Sequence, residues 1–171
     1  MIFALIALVA SAPLAAEAAD RDYLTKISRA IEHGRLVQAR EMVGILAGAP
    51  AVARSPAYQL VLGQLALAED SNGDAYLHYK LARDAEPGNC VAWEGMGLAA
   101  LRLGRNNAAK AAFEEALQKC AGRWQSLNAL GVLADRSGDW TASESAYAKA
   151  LELAPDQPAV LNNMGFSLLL Q

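Results

Sequence analysis

Four glycines recur at a fixed spacing of 34 residues along this chain of 171 residues. Two other positions repeat at the same spacing of 34 residues. Each of the first three glycines is followed by an aromatic residue and then by an alanine. The residues are Gly63, Gly97, Gly131 and Gly165; Tyr79, Phe113 and Tyr147; and Ala82, Ala116 and Ala150. A period of this length is typical of repeat architectures, in which each unit buries its hydrophobic face against the next unit. The spacing therefore predicts a stacked array of repeats.

Composition and turn signals predict that each repeat is helical. Hydrophobic residues make up 54% of the chain and aromatic residues only 6%, and alanine is frequent, which favours helices packed through small side chains. Turn-forming residues divide each repeat at Asp70–Gly73, Gly104–Asn106 and Ser137–Asp139. Pro87 and Pro155 are expected to end second helices, because proline cannot donate to the carbonyl four residues earlier.

The register resembles the tetratricopeptide family. The string Trp93-Glu94-Gly95-Met96-Gly97, followed by Ala109, Phe113 and Ala116, matches its repeat pattern. The resemblance implies an all-α fold, a right-handed α-α superhelix of antiparallel helix pairs. Its glycines are expected to let the two backbones of a pair approach closely. The predicted repeats are 56–89, 90–123 and 124–157, followed by a half repeat, 158–171, that contains a first helix only.

Residues 19–55 are predicted to form a divergent N-terminal helix pair. Tyr23–His33 and Leu36–Leu46 have the apolar spacing of helices, and Gly34 separates them. The register is offset by about two residues from that of the later repeats. We interpret this pair as a cap on the array.

Residues 1–18 are predicted to be a secretory signal peptide. The apolar run Ile2–Ala10 is followed by Pro13 and an Ala16-Glu17-Ala18 cleavage site, and it is shorter than the ~20 residues of a membrane-spanning helix. The prediction is export to the periplasm or cell envelope of a bacterium. A retained N-terminal anchor and a buried helix are the alternatives, so membrane association stays open.

A narrower resemblance concerns the pathway. The strings Ile27–Leu36, Asn128–Asp135 and Leu161–Ser167 are similar to those of TadD-type tetratricopeptide proteins of tight-adherence (Flp) pilus assembly. This implies a scaffold for protein–protein interaction that helps assemble a pilus or secretion machine. The alternatives are a tetratricopeptide protein of another envelope pathway and the N-terminal interaction module of a larger enzyme.

The sequence contains no pattern typical of catalysis, of a cofactor or of nucleic-acid binding. The net charge is -3 and no basic run occurs, which argues against a nucleic-acid partner. His33 and His78 have no further ligand at metal spacing, and no glycine-rich phosphate loop is present. We therefore expect a non-enzymatic protein without metal or cofactor.

The family resemblance also implies where a partner binds. Tetratricopeptide proteins hold a protein or peptide segment in the concave groove lined by their first helices. The positions that carry this role correspond here to Leu60, Gln64, Glu94, Leu98, Arg102, Asn128, Val132, Asp135, Arg136, Asn162 and Phe166. Because Leu60 and Gln64 stand where chaperone-binding members carry a carboxylate clamp, that clamp is not expected.

Two further features leave alternatives open. Cys90 opens one predicted helix and Cys120 follows its antiparallel partner, so they are either bridged or two free thiols. The last predicted helix ends in Phe166-Ser167-Leu168-Leu169-Leu170, which is apolar where a terminal repeat is usually polar. We expect this surface to be covered, either by a continuation of the repeat or by another protein.

Overall fold

The computed structural model describes residues 11–171, with side chains from Asp20 onward. These residues form helices joined by short turns, and no strand occurs among them, as an all-α fold requires. The helices are α1 (Ser11–Glu32), α2 (Leu36–Ala47), α3 (Pro50–Ala53), α4 (Pro56–Ala68), α5 (Asn72–Ala85), α6 (Cys90–Arg102), α7 (Asn106–Lys119), α8 (Trp124–Ser137), α9 (Trp140–Leu153) and α10 (Pro158–Leu170).

Three antiparallel helix pairs make up the regular part of the solenoid. The pairs α4–α5, α6–α7 and α8–α9 lie within the segments 56–89, 90–123 and 124–157, and each packs on the next. Helix α10 packs on α9 and α8, as the first helix of a further pair would. The all-α solenoid of helix pairs is therefore confirmed.

The tight turns inside the pairs share one backbone conformation at a repeating position. Gly104 and Gly138 have φ angles of +71° and +73°, in the left-handed region that favours glycine. Asp70 occupies the equivalent position with φ +57°, which aspartate tolerates better than most residues.

At the start of the helices, the side chains of Ser55, Asn89 and Asp139 accept hydrogen bonds from otherwise unpaired backbone N–H groups.

The recurring glycines accommodate aromatic rings, which corrects the expectation that they bring two backbones together. A Cβ added at Gly63 or Gly97 would lie 2.9 Å from the ring of Tyr79 or Phe113 in the paired helix. At Gly131 it would lie 2.5 Å from the ring of Tyr147. All three rings are buried, and in each pair the ring packs directly against the backbone at the glycine of the paired helix. We call this contact the ring–glycine contact.

The N-terminal pair is longer than expected. Helix α1 runs without interruption from Ser11 past the predicted cleavage site, while residues 1–10 of the predicted signal peptide lie outside the described residues. Gly34 forms the turn to α2 with φ +69°. The short helix α3, which the sequence pattern did not indicate, links this pair to α4, and Ile27 of α1 is fully buried in their shared core.

A disulfide bond joins the two ends of the second pair. Cys90 is the first residue of α6 and Cys120 directly follows α7, and their Cα atoms lie 6.1 Å apart. The loop that follows the second helix contains Pro87 or Pro155 in the neighbouring pairs, whereas Ala121 stands at the equivalent position here. The bridge therefore anchors the start of the loop that lacks the proline.

Candidate partner-binding groove

The first helices of successive pairs line a continuous groove. An N-terminal cavity of about 300 Å³ lies between α1, α4 and α6, and shares Leu67, Tyr79 and Leu98 with a central cavity of about 450 Å³. The central cavity lies against α6, α8 and α10, and shares Val132 and Asn163 with a C-terminal cavity of about 220 Å³. Because neighbouring cavities share lining residues, they form one surface, which we call the groove.

Nine of the eleven predicted partner-binding residues line this groove. They are Gln64, Leu98 and Arg102 in the N-terminal cavity, Glu94, Asn128 and Val132 in the central one, and Asp135, Arg136 and Phe166 in the C-terminal one. Leu60 instead packs half-buried against the core around Tyr79, and Asn162 is exposed outside the three cavities. For those two residues the position carried over from the family does not place the side chain in the groove.

In α10 the asparagine that lines the groove is Asn163, whereas the sequence predicted Asn162. The amide nitrogen of Asn163 donates to Oδ1 of Asn128 at 3.0 Å, which joins α10 to α8 across the groove floor. The equivalent residues of the preceding pairs, Gly95 and Ala129, also line the central cavity. That shared register position is the signal by which Asn163 could have been found.

Glu94 is fully engaged within the protein. One carboxylate oxygen accepts from the Arg123 guanidinium, and the other accepts from the Ser126 hydroxyl at 2.7 Å. The hydrogen bond to Glu94 raises the pKa of Arg123 above its ordinary value. Glu94 therefore links α6 to the start of α8 and presents little free charge to the groove.

The two groove arginines bind backbone carbonyls of the preceding pair. Arg102 donates to the carbonyl oxygen of Leu67 at 2.8 Å, and Arg136 donates to that of Leu101 at 3.5 Å. Both carbonyls lie in the last turn of a first helix, where a cation is favourable. The arginines thus connect successive repeats.

Asp135 holds three helices together. Its two carboxylate oxygens accept from the Tyr147 hydroxyl at 2.7 Å and from the Ser167 hydroxyl at 2.6 Å. Burial, followed by the hydrogen bond to Asp135, raises the pKa of Tyr147 above its ordinary value. This carboxylate joins α8 to α9 and α10, and both of its oxygens already have donors.

The groove is mainly apolar, although the exposed side chains of Glu32 and Gln125 also line it. Gln64 accepts from Ser28 of α1 at 2.8 Å, a contact that the sequence did not indicate. Leu98 is 37% exposed and Val91 39%, and both line the central cavity. With Glu94 and Asp135 satisfied and the arginines bound to carbonyls, apolar contact is the interaction that this surface offers most readily.

The described residues contain no group suited to hold a metal. No three His, Cys, Asp or Glu side chains cluster within residues 20–171. His78 hydrogen-bonds to Gln59 at 2.9 Å, and burial lowers its pKa while Asp74 opposes that shift.

In the part of the chain that the structure describes, no helix combines the length and the hydrophobicity needed to cross a lipid bilayer.

A family model for the tetratricopeptide repeat matches residues 91–118 and 125–157. These two segments are similar to tetratricopeptide repeats. They coincide with α6–α7 and α8–α9, and the α4–α5 pair repeats their ring–glycine contact and register. No curated protein sequence matches the chain significantly.

Solved structures share this tetratricopeptide fold at low sequence identity. PilF of Pseudomonas aeruginosa is 20% identical with a TM-score of 0.77, over 90% of this chain and 69% of PilF. The tetratricopeptide protein TTC0263 of Thermus thermophilus is 21% identical with a TM-score of 0.74, over 88% of this chain and 81% of that one. The first tetratricopeptide domain of Spaghetti (RPAP3), solved with the HSP90 peptide SRMEEVD, is 20% identical with a TM-score of 0.60, over 65% of this chain and 90% of that domain.

Proposed function

We propose that this chain is a scaffold that binds an apolar, uncharged segment of a partner protein in its groove. The observation that carries the proposal is the state of the groove's charges, because four of its five charged side chains, all but Glu32, already have partners within the protein. Glu94 and Asp135 accept hydrogen bonds at both oxygens, and Arg102 and Arg136 reach backbone carbonyls of the preceding repeat. A charged partner would compete with these contacts, whereas an apolar segment gains by covering the lining.

The expected partner differs from the acidic peptide bound by the RPAP3 domain. The peptide SRMEEVD carries acidic residues. No lysine lines the three cavities of this groove, and each of its two arginines already donates to a backbone carbonyl. A carboxylate would therefore find only two cations, each with part of its donor capacity already used, so we expect acidic peptides to bind weakly.

The proposal is tested by selecting peptides from a phage-displayed random library of dodecapeptides on the full chain. We expect the selected sequences to be rich in apolar residues and poor in Asp and Glu. Leu98→Asp should weaken their binding at least about tenfold, which corresponds to about 1.4 kcal/mol, because it places a charge in the apolar groove.

Leu77→Asp is the matched control for that experiment. Leu77 lies on the second helix α5, is exposed, and lies outside the three cavities, so the same substitution there should leave binding unchanged. Selection of predominantly acidic peptides would contradict the proposed chemistry. Equal binding by the Leu98→Asp and wild-type proteins would contradict the proposed site.

We further propose that the scaffold is exported and acts in the cell envelope, in assembly of a tight-adherence pilus or secretion machine. The support is the apolar run Ile2–Ala10 with its cleavage site, together with the three TadD-like strings. The mature protein is then expected to begin at Ala19. Mass spectrometry of the protein recovered from a bacterial host should give that N-terminus in the periplasmic fraction, and an intact Met1 in the cytosolic fraction would contradict export.

A further inference from the structure

The hydroxyl of Tyr79 is the one polar group of the ring–glycine contacts that has no partner among the described residues. Phe113 carries no hydroxyl at this position, and the hydroxyl of Tyr147 donates to Asp135. In α4 the register position of Asp135 is occupied by Leu67, whose side chain cannot accept a hydrogen bond. Only 3% of Tyr79 is exposed, and a buried hydroxyl without a partner is unusual in a folded protein.

The ring of Tyr79 lies between two first helices, and both of them carry glycine where they face it. A Cβ added at Gly63 of α4 or at Gly95 of α6 would overlap the ring, in each case at the carbon that bears the hydroxyl. In the next first helix, Ala129 occupies the position of Gly95. Because glycine adds no side chain there, Tyr79 reaches the groove between α4 and α6, where it lines both the N-terminal and the central cavity.

Two further side chains place hydrogen-bond donors around the N-terminal cavity. Arg102 uses Nη1 for its hydrogen bonds within the protein, so the donors on Nε and Nη2 remain. Burial raises the pKa of Tyr79, and the charge of the neighbouring Arg102 opposes that rise. Gln64 accepts from Ser28 through its amide oxygen, which leaves the amide N–H groups as donors. The cavity therefore suits a hydrogen-bond acceptor.

The charges around this cavity favour an acceptor that is itself uncharged. The charged residues of its lining are Glu32 and Arg102, and their charges are opposite. Asp70 adds a second negative charge, with its carboxylate 3.3 Å from the Arg102 guanidinium. A carboxylate of a partner would meet two negative charges and one positive charge, whereas a carbonyl oxygen can accept from the same donors without that repulsion.

We propose that Tyr79 and Arg102 bind a backbone carbonyl oxygen of the partner segment where the N-terminal and central cavities meet. The inference rests on the proposed function, since it requires an apolar segment in the groove. Every apolar residue carries a backbone carbonyl, so the acceptor needs no polar side chain. Carbonyls inside a helix are already hydrogen-bonded, so the segment is extended where it passes Tyr79. This contact sets the register of a segment that apolar contact alone would hold loosely.

The test compares Tyr79→Phe with the wild type, using as probe a fluorescein-labelled dodecapeptide selected from the random library on the full chain. Fluorescence anisotropy should show binding weakened about threefold to tenfold, because one hydrogen bond to the peptide is lost. The variant should unfold at the same denaturant concentration as the wild type. The hydroxyl contributes no hydrogen bond within the described residues, and Phe113 shows that the equivalent site accepts phenylalanine.

Tyr58→Phe is the matched control for that variant. Tyr58 is also buried, but it lies outside the three cavities and donates to the carbonyl oxygen of Val43 at 3.1 Å. This variant should be less stable than the wild type and should bind the peptide with unchanged affinity. The two substitutions thus distinguish a hydroxyl that contacts the partner from one that stabilises the fold.

A thioamide scan of the peptide identifies the acceptor. Each backbone carbonyl oxygen is replaced in turn by sulfur, which is a weaker acceptor. We expect one replacement to weaken binding to the wild-type protein severalfold and to have little effect on binding to Tyr79→Phe. Such coupling between the two changes shows that the hydroxyl and that carbonyl interact directly.

The possible results separate this inference from the proposed function. Weaker binding by Tyr79→Phe that couples to a single backbone carbonyl supports the inference. Unchanged affinity, or a loss that couples to a side chain of the peptide instead of a backbone carbonyl, overturns it. If Leu98→Asp weakens binding and Tyr79→Phe does not, this inference alone fails. If the library yields no binding peptide, or neither substitution weakens binding, the proposed function fails as well.

Discussion

Replacing Cys90 and Cys120 together by serine should lower the free energy of unfolding by about 3–4 kcal/mol. The bridge links residues that are 30 apart in sequence, and closing a loop of that size restricts the unfolded chain by this amount. Denaturant unfolding of the wild-type and double-variant proteins measures the difference.

The reductant dithiothreitol provides the control for that prediction. It should lower the unfolding midpoint of the wild-type protein towards that of the double variant, and leave the double variant unchanged. Two reactive thiols in the unreduced, denatured wild-type protein would contradict the bridge. A midpoint that is insensitive to reductant would contradict its contribution to stability.

Tyr147→Ala should be the most destabilising single truncation within the α8–α9 pair, at about 3–5 kcal/mol. The side chain is completely buried, its ring covers Gly131, and its hydroxyl donates to Asp135. Truncation removes the ring from the core and leaves a cavity beside the glycine. Tyr147→Phe keeps the ring and should cost only about 1–3 kcal/mol, because one oxygen of Asp135 then loses its donor.

Gly131→Leu examines the same contact from the other helix. The added side chain would overlap the ring of Tyr147, so we expect a loss of about 1–3 kcal/mol. Gly44→Leu, at a helical glycine with open space around it, should not destabilise the protein, because leucine has the higher helix propensity. Thermal and denaturant unfolding of these variants measures the effects, and equal stability of Gly131→Leu and the wild type would contradict the ring–glycine contact.

The fold could be predicted from the sequence because the same residue types recur at a fixed spacing. A step of 34 residues places glycine, aromatic and alanine in register, and stacking follows from the need of each repeat to bury its apolar face. The physical role of the glycine could not be predicted in the same way. Periodicity identifies the residues that meet, whereas only the packed structure reveals that Gly131 faces a ring and not a backbone.

For the groove, the sequence predicted which residues line it, but not the hydrogen-bond partners of its charged side chains. Register positions placed Leu98, Asn128 and Val132 in the groove, because every first helix turns the same side to it. The partners of the charged residues could not be predicted, since Arg102 binds a backbone carbonyl that the side-chain pattern does not encode. The register position assigned Asn162 to the groove, whereas the structure places Asn163 there.

Amide chemical-shift mapping by NMR tests most directly whether a partner segment binds along the first helices. The isotope-labelled chain would be titrated with a peptide selected from the random library. We expect shift changes that cluster on α6 and α8 around Leu98, Asn128 and Val132, and extend to the facing residues of α4 and α10. Shift changes confined to the second helices α5, α7 and α9 would contradict it.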